Sequence, residues 1–186
     1  VYEIPGESAY KDYVVEYMSN LIAADGTWAM CSNNSSKQAA GYNSTHGADC
    51  YKTASLLMDC YQMTGDNRYL TMAKTLYADL TSAAKSYSLK NAGNNFRHTW
   101  ASDPSPDLWL DGLYMAQVFY ARYTTEMEGG KNYDDIRRQF RTVREKMFDP
   151  ATGLYRHGYD ASKTAFWAGE NGCSLNPWLR SLGWFS

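Results

Sequence analysis

Five successive stretches of this chain carry apolar residues at three- and four-residue steps, and no stretch sustains the apolar–polar alternation typical of strands. The first covers residues 10–21, with Ser8 as a plausible cap and Gly26 as its end. The second follows Asp49 and stops at the turn 64–66, and the third covers residues 69–87. Short turns between helical stretches predict antiparallel helix pairs, so the expected fold class is all-α.

The second half of the chain continues this pattern around one long loop. A fourth helix is predicted to begin near Asp111 and to run to Gly129-Gly130, and a fifth to span Tyr133 to Met147. Residues 149–176 are rich in aromatic residues and glycine, which indicates an ordered functional loop with at most short strands. A sixth helix begins near Pro177. With 186 residues, a single domain, 1–186, is expected.

The charge balance excludes several classes of partner. Lys and Arg number 18 against 20 Asp and Glu, so there is no basic surplus to attract nucleic acid or an anionic membrane. No apolar run approaches the roughly 18 residues that a membrane span needs. We therefore expect a soluble protein, and the sequence leaves open whether it is cytoplasmic or is periplasmic or secreted in a bacterium.

Aromatic residues make up 15% of the chain, including 6 Trp and 16 Tyr. Rings with a polar tip suit carbohydrate clefts, where they pack on sugar faces while hydroxyls find hydrogen-bond partners. Packing in helical cores is the alternative, and it accounts for at least half of them. The four cysteines lack metal or redox spacing and are expected as buried free thiols, and we find no metal or nucleotide motif, so no cofactor or metal is predicted.

Three segments carry a resemblance to a known family. They are Asp107-Leu-Trp-Leu-Asp-Gly-Leu-Tyr-Met-Ala116, then Thr152-Gly-Leu-Tyr-Arg-His-Gly-Tyr-Asp160 followed by Trp167-Ala168, and Trp178-Leu-Arg-Ser-Leu-Gly-Trp184. In this order and spacing they resemble the unsaturated rhamnogalacturonyl and glucuronyl hydrolases, glycoside hydrolase families 105 and 88. Ala48-Asp49, ahead of a helix that ends in Thr-Gly-Asp, is a fainter match.

The resemblance implies an (α/α)6 barrel, a toroid of six helical hairpins, and a single glycosidase catalytic domain. Hairpins of ordinary length need roughly 40 to 60 residues each, so this chain is expected to supply about the first half of the barrel. The remainder would lie on a second chain, would have been lost, or would be missing from a truncated product.

Asp111 matches the family's general acid/base, although a carboxylate that answers the helix dipole is the alternative reading. Two neighbouring carboxylates cannot both ionise freely, and Asp49, which also precedes a helix, is our candidate for the partner that keeps Asp111 protonated. The family's reaction is the hydration of a vinyl ether, in which a 4,5-unsaturated uronic acid is removed from the non-reducing end of lyase-generated oligosaccharides.

His98 and His157, on loops, match substrate-contact positions of the family. On a helix, Arg180 and Trp184 share a face, so a guanidinium can meet a carboxylate or hydroxyls while an indole stacks on the sugar. The expected substrate-binding residues are His98, His157, Trp167, Trp178, Arg180, Trp184 and Tyr42. Any of the aromatic residues among them could instead be a packing residue.

Two rival functions stay open at this point. One is an inverting glycosidase on saturated sugars, which needs two carboxylates about 6.5 to 9.5 Å apart around a water. The other is a non-catalytic carbohydrate-binding or truncated half-barrel module. The aglycone and the linkage depend on loop shapes that the sequence does not reveal.

Overall fold

The computed structural model describes residues 8–27, 51–52, 54–81 and 107–186. Within these ranges the chain is mostly helical, with a few short strands. In order, the elements are α1 (Ser8–Ser19), α2 (Ser55–Thr64), α3 (Asn67–Leu80), β1 (Asp107–Trp109), a π-helical segment (Leu113–Gln117), α4 (Val118–Met127), α5 (Tyr133–Met147), β2 (Phe148–Asp149), β3 (Leu154–Tyr155), β4 (Gly158–Asp160) and α6 (Leu179–Phe185). The all-α prediction is confirmed.

The main core lies among α1, α2, α3 and α4. Helices α2 and α3 are joined by only two residues, and the first, Gly65, adopts a left-handed backbone (φ 69°) that lets the chain reverse. The fully buried side chains of this core come from all four helices. They are Met18, Leu57, Met58, Met72, Leu76 and Phe119. This packing fixes α4, which continues directly from the segment that carries Asp111.

Helix α1 is shorter than predicted, and only part of its predicted apolar stripe packs in the core. It ends at Ser19, and Gly26 lies in a later turn with φ 82°. Within residues 10–21, the predicted apolar stripe, Met18 is buried as expected, but the Tyr13 and Tyr17 side chains are 69% and 45% exposed. Tyrosine tolerates this position because its hydroxyl remains hydrated.

Helix α2 begins at Ser55 rather than directly after Asp49, and a short 3₁₀ turn at Tyr51 precedes it. Helix α3 ends at Leu80, and its predicted continuation from 82 to 87 lies outside the described residues. Helix α5 has the predicted bounds, with Asp134 and Asp135 in its first turn. Asp135 is only half-exposed because it accepts a hydrogen bond from Tyr120 of α4 (3.1 Å).

A second, smaller core supports the long loop and the end of the chain. Its buried members are Leu108, Leu110, Leu113, Val143 and Met147, and Leu182 and Phe185 of α6 pack against it. The loop forms two small antiparallel sheets, β2 with β3 and β1 with β4. The prediction of an ordered segment with at most short strands is confirmed.

Two further predictions concern the cysteines and membrane-spanning helices. Cys60 and Cys173 are buried free thiols, as expected, while Cys31 and Cys50 lie outside the described residues. Among the described helices, none combines the length and the apolar character that crossing a membrane would require.

Candidate active site

The pairing of β1 with β4 brings Asp111 and His157 together across 46 residues of sequence. The register places Trp109 opposite Gly158, and the Leu110 amide donates to the His157 carbonyl (3.0 Å). Asp111 follows this ladder on one strand, and His157 precedes it on the other. A three-residue sheet therefore sets the separation of the two side chains.

Helix α6 adds a third group, the hydroxyl of Ser181. This hydroxyl donates to Asp111 Oδ2 (2.5 Å) and lies 2.9 Å from His157 Nδ1. Asp111 Oδ2 and His157 Nδ1 are themselves 3.3 Å apart. Asp111 and Ser181 are both buried, with 1% and 0% of their surface exposed, so the three side chains form a compact cluster beneath the surface.

The second carboxylate oxygen of Asp111 has a different environment. Oδ1 is buried and has no hydrogen-bond partner in the described part of the chain. Among the described residues, Arg180 places its Nε 3.6 Å away, too far for a hydrogen bond but within the distance of an ion pair. Leaving a buried acceptor unpaired costs about 1 to 3 kcal/mol, so this oxygen is suited to a partner that arrives with a ligand.

An aromatic cluster packs around His157. Trp109 contacts both His157 and Trp167 (ring centroids 4.7 Å apart in each pair), and His157 lies 5.7 Å from Trp178. Gly158 makes this packing possible, because a Cβ there would lie 2.9 Å from the Trp109 ring and 3.2 Å from Trp167. The strand thus provides space for two indoles beside the histidine.

Arg180 lies close to two further indole rings. Its guanidinium lies 5.0 Å from the Trp184 ring and 5.6 Å from the Trp178 ring, and Trp184 stacks on Tyr114 at 4.9 Å. Lys52 Nζ lies 4.0 Å from the Tyr114 ring. Arg180 and Trp184 share a face, as predicted. Arg180 and Lys52 thus place two cations beside an aromatic wall, an arrangement that suits an acidic sugar. We use the term aromatic wall for the rings of Trp109, Tyr114, Trp167, Trp178 and Trp184.

Six of the predicted site residues belong to this assembly: Asp111, His157, Trp167, Trp178, Arg180 and Trp184. The other three, Asp49, His98 and Tyr42, lie outside the described residues. Ser181, Trp109 and Tyr114 were not predicted as site residues. Each stands within three residues of a predicted one, so all three belong to the same motif segments, which did not assign these side chains.

The donor set offers no metal site within the described ranges: no group of three or more His, Cys, Asp or Glu side chains there could hold a metal ion. The chemistry that the described residues can perform is proton transfer by Asp111, with binding by a guanidinium, an imidazole and indole rings.

The family model for glycosyl hydrolase family 88 matches residues 1–186, the whole chain. The chain belongs to glycosyl hydrolase family 88. A glycoside hydrolase of family 105 from Clostridium acetobutylicum ATCC 824 is similar in structure, with a TM-score of 0.83 and 31% identity. The match covers 99% of the family 88 chain and 47% of that structure.

Two further proteins are similar to this chain, one in sequence and one in fold. The unsaturated rhamnogalacturonyl hydrolase YesR of Bacillus subtilis (strain 168) is 28% identical over 131 residues, which are 69% of this chain and 35% of that protein. A possible family 105 member from Klebsiella pneumoniae has the same fold, with a TM-score of 0.69 at 16% identity over 98% of this chain and 41% of that structure. The family 88 chain thus spans between a third and a half of the length of these relatives, as expected for part of an (α/α)6 barrel.

Proposed function

We propose that this family 88 chain forms part of the catalytic domain of an unsaturated glycuronyl hydrolase, with Asp111 as the general acid and base. The observation that carries the proposal is the environment of Asp111. One oxygen is held by Ser181, and the other is buried without a hydrogen-bond partner in the described residues and lies beside Arg180. The relative YesR, by its name an unsaturated rhamnogalacturonyl hydrolase, supports the same class of substrate.

In the proposed reaction, the Asp111 carboxylic acid gives its proton to C4 of the unsaturated ring, and the C4–C5 double-bond electrons form the new C–H bond. Positive charge develops at C5 and is shared with the ring oxygen. Water then adds to C5 while the Asp111 carboxylate accepts a proton from it, which restores the acid. The resulting hemiketal opens at its C5–O5 bond to a ketone, and the hemiacetal left at C1 collapses to an aldehyde. This breaks the bond from C1 to the remaining sugar, which leaves as an alcohol, so no oxidant or reductant is needed.

The surrounding residues are proposed to bind the sugar. Arg180, with 56% of its side chain exposed, lies with its Nε near Asp111 and presents a cation to the substrate carboxylate. Trp167, Trp178 and Trp184 supply stacking surfaces, and His157 a hydrogen-bonding ring. Asp49 is proposed as the second carboxylate that keeps Asp111 protonated, and His98 and Tyr42 as further substrate contacts.

The chain spans less than half of the family 105 structure, so the activity of a whole barrel is part of the proposal. We infer that turnover needs the remaining hairpins, supplied by the same polypeptide or by a second chain. Co-purification of a second polypeptide predicted to form further helical hairpins would support the second arrangement.

The direct test is the ultraviolet absorbance of the conjugated double bond. Incubation of the whole protein with unsaturated disaccharides made by a rhamnogalacturonan lyase should abolish this absorbance as the ring hydrates. Unchanged absorbance together with reducing-sugar release from saturated substrates would instead identify an inverting glycosidase. Sugar binding without any turnover would identify a carbohydrate-binding module, and either result would overturn the proposal.

A further inference from the structure

The hydroxyl of Ser181 lies at the centre of the buried cluster. It is the only described group that contacts both Asp111 and His157 through hydrogen bonds, at 2.5 Å and 2.9 Å. A serine hydroxyl has one proton to donate and lone pairs to accept with. The neighbour that receives the serine proton determines which oxygen of Asp111 and which nitrogen of His157 can carry a hydrogen.

The carboxylate determines the direction of the first bond. Asp111 Oδ2 accepts whenever the carboxyl group is ionised, and it still accepts as the carbonyl oxygen when the proton is on Oδ1. As the donor to an ionised carboxylate, the Ser181 hydroxyl directs its proton to this oxygen. Ser181 therefore holds Oδ2, and the exchangeable proton belongs on Oδ1, the oxygen without a hydrogen-bond partner in the described residues.

The imidazole must then be the donor in the second bond. Because the single serine proton points to Asp111, His157 Nδ1 can bond to Ser181 Oγ only if Nδ1 carries a hydrogen. The distance to the carboxylate gives a second, independent reason. An unprotonated Nδ1 would present its lone pair to Asp111 Oδ2 at 3.3 Å, which is repulsive, whereas an N–H there is attracted.

We propose that Ser181 is a positioning residue, which makes Asp111 Oδ1 the proton-exchanging oxygen and holds His157 in its Nδ1-protonated form. In the neutral ring the lone pair is then on Nε2. Helix α6 fixes this arrangement because Ser181 is fully buried while its neighbours Arg180 and Leu179 are exposed. The effect that Ser181 should have on kcat rests on the proposed function. The protonation state that it gives His157 does not.

The structural consequence is tested by NMR of the histidine ring nitrogens in the whole protein, at a pH where the ring is neutral. His157 is assigned by the disappearance of its signals in His157→Gln. The expected result is a protonated Nδ1 and an unprotonated Nε2, with loss of this preference in Ser181→Ala. A ring protonated on Nε2 in the unmodified protein overturns the proposal, whether or not the protein is active.

The kinetic consequence is tested by turnover of the unsaturated disaccharide. We expect Ser181→Ala to lower kcat about 10- to 100-fold with little change in KM, because a carboxyl group that rotates freely presents Oδ1 less often. Ser181→Thr keeps the hydroxyl and should recover most of kcat. The matched control is Ser186→Ala, which removes the exposed hydroxyl of the residue that caps the same helix and donates to the Leu182 carbonyl.

The outcomes separate the two proposals. An inactive unmodified protein with the Nδ1-protonated ring contradicts the proposed function and supports the role of Ser181. An active protein in which Ser181→Ala matches Ser186→Ala in kcat overturns the role of Ser181 and leaves the proposed function intact.

Discussion

Trp109 and Trp167 can pack beside His157 because residue 158 is a glycine and has no side chain. Gly158 lies opposite Trp109 in the β1–β4 pair. A Cβ at this position would lie 2.9 Å from the Trp109 ring, closer than Cβ atoms pack, and 3.2 Å from Trp167, where the indole would have to shift. Although Gly158 touches no substrate in our proposal, it determines whether the aromatic wall can form. At this scale, packing space contributes to the site as much as functional groups do.

We expect Gly158→Ala to destabilise the fold by about 1 to 3 kcal/mol through overpacking, and to raise KM by displacing both indoles. Denaturant unfolding and substrate titration measure the two effects. Gly183→Ala is the matched control, because a Cβ there meets no atom within 4 Å and its backbone is helical. Equal stability of the two variants would show that the wall has room to adjust.

The motifs predicted Asp111, His157 and Arg180 because each stands in a characteristic local sequence. They did not predict the role of Ser181, although it follows Arg180 directly. Its hydroxyl matters because α6 turns it towards a carboxylate 70 residues earlier, and no local pattern records which face of a seven-residue helix is buried. Asp49 remains a prediction, since it lies outside the described residues.

Among the secondary-structure elements, α2 and α4 are connected by a charged contact at the edge of the main core. Arg122 Nη1 lies 2.6 Å from Asp59 Oδ2, and its Nε lies 2.8 Å from Glu126 Oε1. Its hydrogen bonds to these carboxylates raise the pKa of Arg122 despite partial burial. Asp59 is 8% exposed, so its end of this ion pair is largely buried.

We expect Arg122→Met to cost about 2 to 3 kcal/mol of stability, because it removes the ion pair of a largely buried carboxylate. Asp59→Leu in the same background should restore part of this loss, since both charges are then gone. Chemical denaturation of the two single variants and the double variant measures the coupling. Additive losses would show that the ion pair does not connect α2 and α4 energetically.

The long loop is organised by Asp160, which is buried at the end of β4. Burial raises its pKa, but hydrogen bonds from the Ser162 hydroxyl and from the amides of Ala165, Ser162 and Thr164 outweigh this and lower the pKa overall. The four bonds measure 2.6 to 2.8 Å. One ionised side chain thus holds the turn that leads to Trp167.

Because the folded-state pKa of Asp160 is lowered, the ionised form stabilises the fold. That contribution is complete above the unfolded-state pKa of about 4 and is lost as the pH falls through the lower folded-state value. Asp160→Asn should therefore cost about 2 kcal/mol at neutral pH and should weaken the loss of stability on acidification. Denaturation curves over a pH series measure both; an unchanged pH dependence would contradict this role.

The elements differ in how far the sequence determines them. Helix α5 has its predicted bounds because charges at both ends and a strong amphipathic pattern agree. The predicted face of α1 was right for Val14 and Met18 and wrong for its tyrosines, because tyrosines fit both the core and the surface. Strands of two or three residues are too short to show a period, so the sheet that joins Asp111 to His157 could be expected only as an ordered loop.

At the scale of the whole molecule, the chain resembles about half of a barrel and carries an apolar groove. A cavity of about 220 Å³ lies between the π-helical segment, α4, α5 and α6. Its lining includes Val118 and Phe140, each 40% exposed, together with Trp184 and Phe185. Trp184 thus connects the groove to the aromatic wall of the candidate site.

We expect residues 1–186 produced alone to self-associate, because exposed faces of this kind are rarely stable in a monomer. Light scattering over a concentration series measures the effect. Addition of the remaining hairpins should restore a defined species. A clean monomer at all concentrations would show that the half-barrel is a stable unit and would favour a binding module over an incomplete enzyme.

The account as a whole depends on a proton carried by Asp111, so the decisive measurement is turnover of an unsaturated disaccharide by Asp111→Asn, paired with calorimetric binding of the same sugar. The amide keeps the shape and the hydrogen-bond acceptor for Ser181 but has no acidic proton. We predict that kcat falls by about 100-fold or more while binding persists. Turnover close to that of the unmodified protein would contradict the account.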